Sequence, residues 1–217
     1  MMILLLTAGS SAATFGAMAR PRSFDEQALF DAAQELFWTN GYERTSIEDI
    51  AAAAGVGNGS IYGAYKSKLG LFVAVFERYC DSRVDVVDEI IASHDGVFED
   101  AVENYLTEIA RDCTGREDRR GCLMLNSIVE LGSRFPEVLA IGDRANSRME
   151  DALAARVSES AESGEIRLGA EGVRPLAAHL LLVSQGLIHL SRTGASVMRL
   201  EEIVAANRDL ASRMRAA

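Results

Sequence analysis

Gly55 and Gly57, with one residue between them and a short run that reads as helix on either side, limit what the first third of this chain can become. Thr45-Ser46-Ile47-Glu48 has the pattern of a capping box, a hydroxyl at the helix start with a glutamate three residues on. The helix it opens is short. Ala51-Ala52-Ala53-Ala54 runs straight into Gly55, and glycine takes the left-handed conformation that stops a helix without strain. A further helix begins near Gly57-Asn58 and runs to about Tyr65. Upstream, Ser23-Phe24-Asp25-Glu26 is another capping box, Leu29, Ala32, Ala33, Leu36 and Phe37 recur at helical spacing, and Asn40-Gly41 ends that helix. Two short helices joined by a tight glycine turn make a helix-turn-helix. Ala51 is small enough for close approach, and Ile50, Val56 and Ile61 hold the pair against the first helix. An ordinary three-helix bundle with no nucleic-acid role has the same spacing.

Charge separates the two readings. The chain carries a formal net charge of -10, which at first sight argues against a phosphate partner. The charge is unevenly placed. Residues 50–76 contain no Asp or Glu, and the only two lysines among 22 basic residues, Lys66 and Lys68, follow the third helix directly. A lysine is a compact charge suited to phosphate, and a phenol at Tyr62 can donate to a phosphate oxygen. Arg20 and Arg22 add a basic arm ahead of the first helix. Each residue alone reads equally well as solvated surface; their clustering favours DNA. The acidity belongs mainly to residues 81–217, so a selective binder with weak non-specific affinity is expected.

The run Thr45-Ser46-Ile47-Glu48-Asp49-Ile50-Ala51, Gly55-Val56-Gly57-Asn58-Gly59-Ser60-Ile61-Tyr62 and Tyr65-Lys66-Ser67-Lys68 resembles the DNA-binding domain of TetR-type transcriptional regulators, over about residues 24–79. The resemblance implies an all-α fold of about nine helices. A three-helix DNA-binding domain with the helix-turn-helix (residues 18–66) would precede a helical ligand-binding and dimerisation domain (residues 67–217). It implies that Asn58 and Ser60 face base edges in the major groove of double-stranded operator DNA. It also implies that Thr45, Tyr62, Lys66 and Lys68 hold phosphates. Gly63 and Ala64 stand where members often carry larger side chains, and Tyr65 where Phe is usual, which bears on the operator sequence more than on DNA binding.

Beyond residue 68 the pattern is helix after helix. A fourth helix linking the two domains carries Leu69, Leu71, Phe72, Val75, Phe76 and Tyr79, and is the expected route of coupling. Further helical stretches cover residues 97–113, 121–133 and 136–163, with Pro136 and Pro175 suited to first turns. Residues 175–190 carry no formal charge, yet they are too few for a membrane span and include two His and a Gln. A buried helix at a subunit interface is the better account. With the stripe Leu200, Ile203, Val204, Leu210 and Met214, the resemblance implies a homodimer through helices at about 175–191 and 199–214, closing a four-helix bundle. A monomer with both helices in one core is the alternative.

Phe98, Tyr105, Met124 and Phe135 are candidates to line a cavity for a small apolar ligand, or else plain core. His94, His179 and His189 lack metal-ligand spacing, and no cofactor is expected. Arg119-Arg120-Gly121-Cys122-Leu123 resembles a Gly-Cys-Leu motif of one family branch, which makes Cys122 a candidate redox sensor if its neighbouring arginines lower the thiol pKa. A small buried residue at a helix start is the competing account. No nucleophile–base pairing or Gly-rich phosphate loop points to an enzyme. The expected function is a transcriptional regulator, a repressor released by a small molecule; an activator, a ligand-independent regulator and an all-helical enzyme are the alternatives. Three cysteines without CxxC spacing fit a reducing cytoplasm. Residues 1–17, whose apolar start is too short to span a bilayer, are expected to be a disordered extension.

Overall fold

Nine α-helices and no strand make up the described residues, 24–216, of the computed structural model. The expectations for residues 1–17 and for Arg20, Arg22 and Ser23 lie outside the described residues. The helices are α1 (Glu26–Asn40), α2 (Ile47–Ala54), α3 (Asn58–Tyr65), α4 (Lys68–Ala92), α5 (Phe98–Thr114), α6 (Leu123–Leu131), α7 (Pro136–Glu162), α8 (Ala170–Arg192) and α9 (Val197–Ser212).

The caps set the geometry of the first three. Asp25, rather than Ser23, is the N-cap of α1; its carboxylate accepts from the N–H groups of Gln27 (2.9 Å) and Ala28 (3.1 Å). The capping box of α2 lies one residue later than the sequence suggests. Ser46 accepts from the Asp49 N–H, and the Asp49 carboxylate accepts from the Ser46 hydroxyl (2.6 Å) and from its N–H (3.1 Å), which together hold the Asp49 carboxyl below the usual range. Gly55 closes α2 in the left-handed region at φ 66°. Gly57 then opens α3 with no side-chain cap at all. A Cβ at Gly57 meets nothing within 4 Å, so Gly57→Ser adds a cap without a clash. It should raise stability by roughly 0.3 kcal/mol, read as a higher urea midpoint at unchanged slope.

Beneath the turn, Ile50, Ala51, Val56 and Ile61 are all buried, with α2 packed on α1 and α3 packed on α2 and α4. The 25-residue α4 belongs to both halves of the molecule. Its first turns put Leu71, Phe72 and Val75 into the core beside α1, and further along it packs on α5 and α7. The helices α5 to α9 form the rest, α5 against α8 and α9, α7 against α4 and α8, and α6 against α7 and α4. Pro136 takes the first turn of α7 as expected. Pro175 does not take the first turn of α8: that helix begins five residues earlier, at Ala170, and the proline sits inside it. The exposed ring removes the N–H that would have bonded the Glu171 carbonyl, one lost bond in the second turn of the helix. By length and composition α8 is apolar enough to cross a membrane, yet it packs against α5, α7 and α9.

Candidate DNA-binding interface and an internal cavity

The outer side of α3 is polar, small and free of carboxylates. Asn58 is its first residue and is exposed; its amide donates a long hydrogen bond (3.5 Å) to Glu48 on α2. Ser60 is half-buried. Tyr62 is 45% exposed, which leaves its side chain open to a partner. Asn58 and Tyr62 lie four residues apart and so share a face of α3. Lys66 caps the helix at a positive φ of 69°, exposed, with its ammonium on the Gly63 carbonyl (2.7 Å). Tyr65 packs its ring near Phe30 (5.8 Å) and its hydroxyl donates to Glu26, tying α3 to α1.

Two residues assigned to phosphates are engaged inside the fold instead. Thr45 is 1% exposed, and its hydroxyl donates to the Gly41 carbonyl (2.8 Å), with the Leu36 carbonyl at 3.2 Å. The one-residue shift of the cap is the reason, since with Ser46 as N-cap the Thr45 side chain turns inward. Thr45→Val keeps the shape and removes the donor. It should cost about 1–3 kcal/mol in thermal unfolding, because buried carbonyls lose their partner. Lys68 is the second correction. Its ammonium donates to the carbonyls of Tyr42 (3.0 Å) and Thr45 (3.1 Å) and lies 4.3 Å from the Tyr42 ring centroid. The bend between α1 and α2 leaves carbonyls without helical partners, and the lysine fills that need.

The same bend is gripped from the other side. Glu130 on α6 accepts from the Tyr42 N–H (3.1 Å), and Arg134 pairs with Glu43, holding that carboxyl below the usual range. Arg120, just ahead of α6, donates to Glu35 (2.7 Å) and Thr39 (3.1 Å) on α1. Phe135 packs edge-on against Tyr42 at 5.7 Å. Phe135 therefore seals this joint and does not line the cavity, a correction to the sequence reading. Coupling was expected through α4; the segment around α6 makes a second, direct connection to α1.

An internal cavity with about 60 Å³ of open space lies between α1, α4, α5, α6, α7 and α8. Tyr105 and Met124 line it, with Trp38, Ile109, Met149 and Leu181. Phe98 borders a separate void of about 20 Å³ on the other side of Tyr105. Trp38 has no place in the sequence argument, although it is the chain's single tryptophan. Arg116 and Arg120 stand over its ring, 5.2 and 5.1 Å from the centroid. Cys122 lines the cavity as the N-cap of α6, and the Tyr79 hydroxyl donates to its sulfur at 3.5 Å. The adjacent arginines are committed elsewhere, Arg119 to the Ala195 carbonyl (2.6 Å) and Arg120 to Glu35 and Asp118. The reason offered for a reactive Cys122 thiol is thus missing from the fold. Burial pushes the neighbouring Cys113 thiol up to about 12 and raises that of Cys80 further. Among the described residues no group of three or more His, Cys, Asp or Glu could hold a metal ion.

Comparison with known proteins agrees with this geometry. Residues 29–75, from α1 into α4, match the family model described as bacterial regulatory proteins, tetR family. The HTH-type transcriptional repressor ComR of Escherichia coli (strain K12) is 30% identical over 85% of this chain and 87% of its own length. A TetR transcriptional regulator from Chloroflexus aurantiacus superposes with a TM-score of 0.75 at 23% identity, covering 88% of this chain and 96% of that one. CifR, a TetR family regulator solved with a 26-base-pair operator duplex, superposes with a TM-score of 0.71 at 23% identity, over 88% of this chain and 98% of its own.

Proposed function

Because this chain belongs to the TetR family of bacterial regulatory proteins and is a DNA-binding transcriptional regulator, we propose that it acts as a cytoplasmic homodimeric repressor. In this reading it holds a palindromic operator and lets go when a small molecule enters the cavity. The observation that carries it is the exposed, carboxylate-free face of α3 with Asn58 and Tyr62 on one side. Asn58 and Ser60 read base edges from the major groove, while Tyr62 and Lys66 hold phosphates. Residues 18–66 form the DNA-binding part, with the first turns of α4 completing its core, and residues 67–217 carry the effector and dimer functions.

Two recognition helices must reach half-sites about one helical turn of DNA apart, so the active unit is a dimer. The face of α8 carrying Ala178, Leu182 and Gly186 is exposed, Leu182 to 66%, and α9 exposes Met198 and Leu210. Those surfaces support a two-fold four-helix interface. Coupling follows from shared walls. The cavity touches α1 through Trp38 and α6 through Cys122 and Met124, and α6 grips the bend that orients α2 and α3. A ligand that fits one arrangement better than the other shifts the equilibrium between them.

The test is a gel shift on the DNA upstream of the protein's own gene at moderate salt, with wild type and Tyr62→Phe plus Lys66→Ala. The wild type should retard the duplex, and the double variant should bind it about tenfold more weakly with a shallower salt dependence. Equal retardation by both proteins overturns the phosphate assignment. No retardation by the wild type overturns the operator reading.

A further inference from the structure

The cavity holds two polar groups that the fold leaves unanswered. The Tyr105 hydroxyl, on a residue only 2% exposed, has only the Ser184 hydroxyl for a polar neighbour, and that one already donates to the Leu181 carbonyl (2.7 Å); the buried indole N–H of Trp38 has no partner. Buried donors are nearly always paired, so an orphan on a cavity wall marks where a ligand atom belongs. Burial also pushes the Tyr105 phenol up to about 12, which keeps it a donor at neutral pH. An indole N–H can only donate, and so can a guanidinium. Both ask for an acceptor.

The charges at the site narrow the chemistry further. Arg83, Arg116 and Arg120 line the cavity against one carboxylate, Asp112, in a chain whose net charge is -10. Arg83 answers Asp112 at 3.3 Å, and Arg120 is paired with Glu35 and Asp118. Arg116 is exposed, lies over the Trp38 ring, and has no carboxylate partner among the described residues. Arg116 and the Trp38 ring thus share one wall of the cavity, with the indole N–H buried and unpaired, and the Tyr105 hydroxyl belongs to another wall. Between them the walls are apolar: Ile109, Met124, Met149 and Leu181.

We propose that this cavity binds a small organic anion, a carboxylate on a compact aromatic or apolar body with a second oxygen at the far end, as in a hydroxybenzoate. The carboxylate accepts from the Trp38 N–H and pairs with Arg116, the body lies against the methionines, and the distal oxygen meets the Tyr105 hydroxyl. The open space is smaller than such a ligand, so binding pushes the walls apart. One of those walls is Trp38, on the first helix of the DNA-binding half. A neutral amide of the same shape leaves Arg116 without a countercharge, and an amine also sets a donor against the Trp38 donor; sites built this way discriminate strongly. The class of ligand rests on the cavity alone; its consequence for DNA rests on the effector reading above.

Trp38 is the only tryptophan in the chain, so intrinsic emission of the full-length protein reports directly on this cavity. Titration with 4-hydroxybenzoate should change that emission, with binding at least about tenfold tighter than for 4-hydroxybenzamide or 4-hydroxybenzylamine. Arg116→Gln, at an exposed position, should erase the preference for the acid over the amide. Tyr105→Phe should erase the advantage of 4-hydroxybenzoate over benzoate while the preference for acids remains. Amide or amine binding as tightly as the acid overturns the proposal, as does an unchanged acid preference in Arg116→Gln or no binding across the panel at millimolar concentration. A parallel gel shift separates the two readings. Acid that binds without releasing operator overturns the effector reading and supports the ligand class; release by the amine alone does the reverse.

Discussion

Lys68→Met lowers the stability of the folded chain by about 3 kcal/mol and leaves the salt dependence of operator binding unchanged. The ammonium donates at 3.0 and 3.1 Å to the Tyr42 and Thr45 carbonyls and faces the Tyr42 ring. Hydrogen bonds from a charged donor contribute about 1.5–3 kcal/mol each; the site is half-buried, so water recovers part of that. Methionine keeps the apolar stem and removes only the donors and the charge. For a chain of this size each kcal/mol moves the melting temperature by about 2–4 °C, so a fall of about 6–12 °C is expected. A lysine on phosphate behaves oppositely: its loss spares the fold and lowers the slope of log affinity against log salt by about 0.9 per contact. An unchanged melt with a reduced slope would sink the internal role. Lys68→Arg should not rescue stability, because a planar fork cannot aim its donors at carbonyls gathered around one point.

The contrast between Lys66 and Lys68 shows what local sequence can and cannot resolve. Both lysines were visible as the only two in the chain, and the glycines at 55 and 57 place the two short helices correctly. Which lysine faces out depends on the bend at residues 41–45. Its register turns on one residue, because Thr45 with Glu48 and Ser46 with Asp49 are both credible capping boxes. The fold takes the second, which sends the Thr45 hydroxyl inward and leaves the bend's carbonyls for Lys68. Periodicity located α5, α7 and α9 to within about two residues, since each has an apolar face, and missed the first five residues of α8 because a proline looked like a first turn. The cavity was harder to read. Tyr105 and Met124 were found as large apolar residues on the right helices, but Trp38 lies 67 positions before Tyr105, and no spacing rule joins them. Phe135 failed for the same reason: its partner, Tyr42, is 93 residues away and on the other half of the molecule.

That joint also carries the largest expected effect on folding. Phe72→Ala should destabilise the chain by about 3–5 kcal/mol, and selectively at the DNA-binding end. Phe72 is fully buried, meets Phe37 of α1 edge-on at 5.1 Å and Tyr42 edge-on at 5.2 Å, and stacks on Phe76 at 5.5 Å. It packs at once on α1 and on the bend after it, beside the Lys68 ammonium that holds the same bend. Truncation leaves a cavity that the neighbouring rings cannot fill, and each aromatic pair is worth about 0.5–1.5 kcal/mol beyond its buried area. The helices α5, α7, α8 and α9 make none of these contacts, so their packing survives. Hydrogen exchange should then show α1, α2 and α3 losing protection well before α8 and α9, and operator binding should fail at temperatures where the second half remains folded. Phe72→Leu should recover most of the loss, since the void rather than the ring chemistry dominates it. Uniform loss of protection over all nine helices would mean that the molecule unfolds as one unit. In that case α4 transmits stress between the halves rigidly, and the grip of Glu130 and Arg134 on the bend adds little to the path from cavity to DNA.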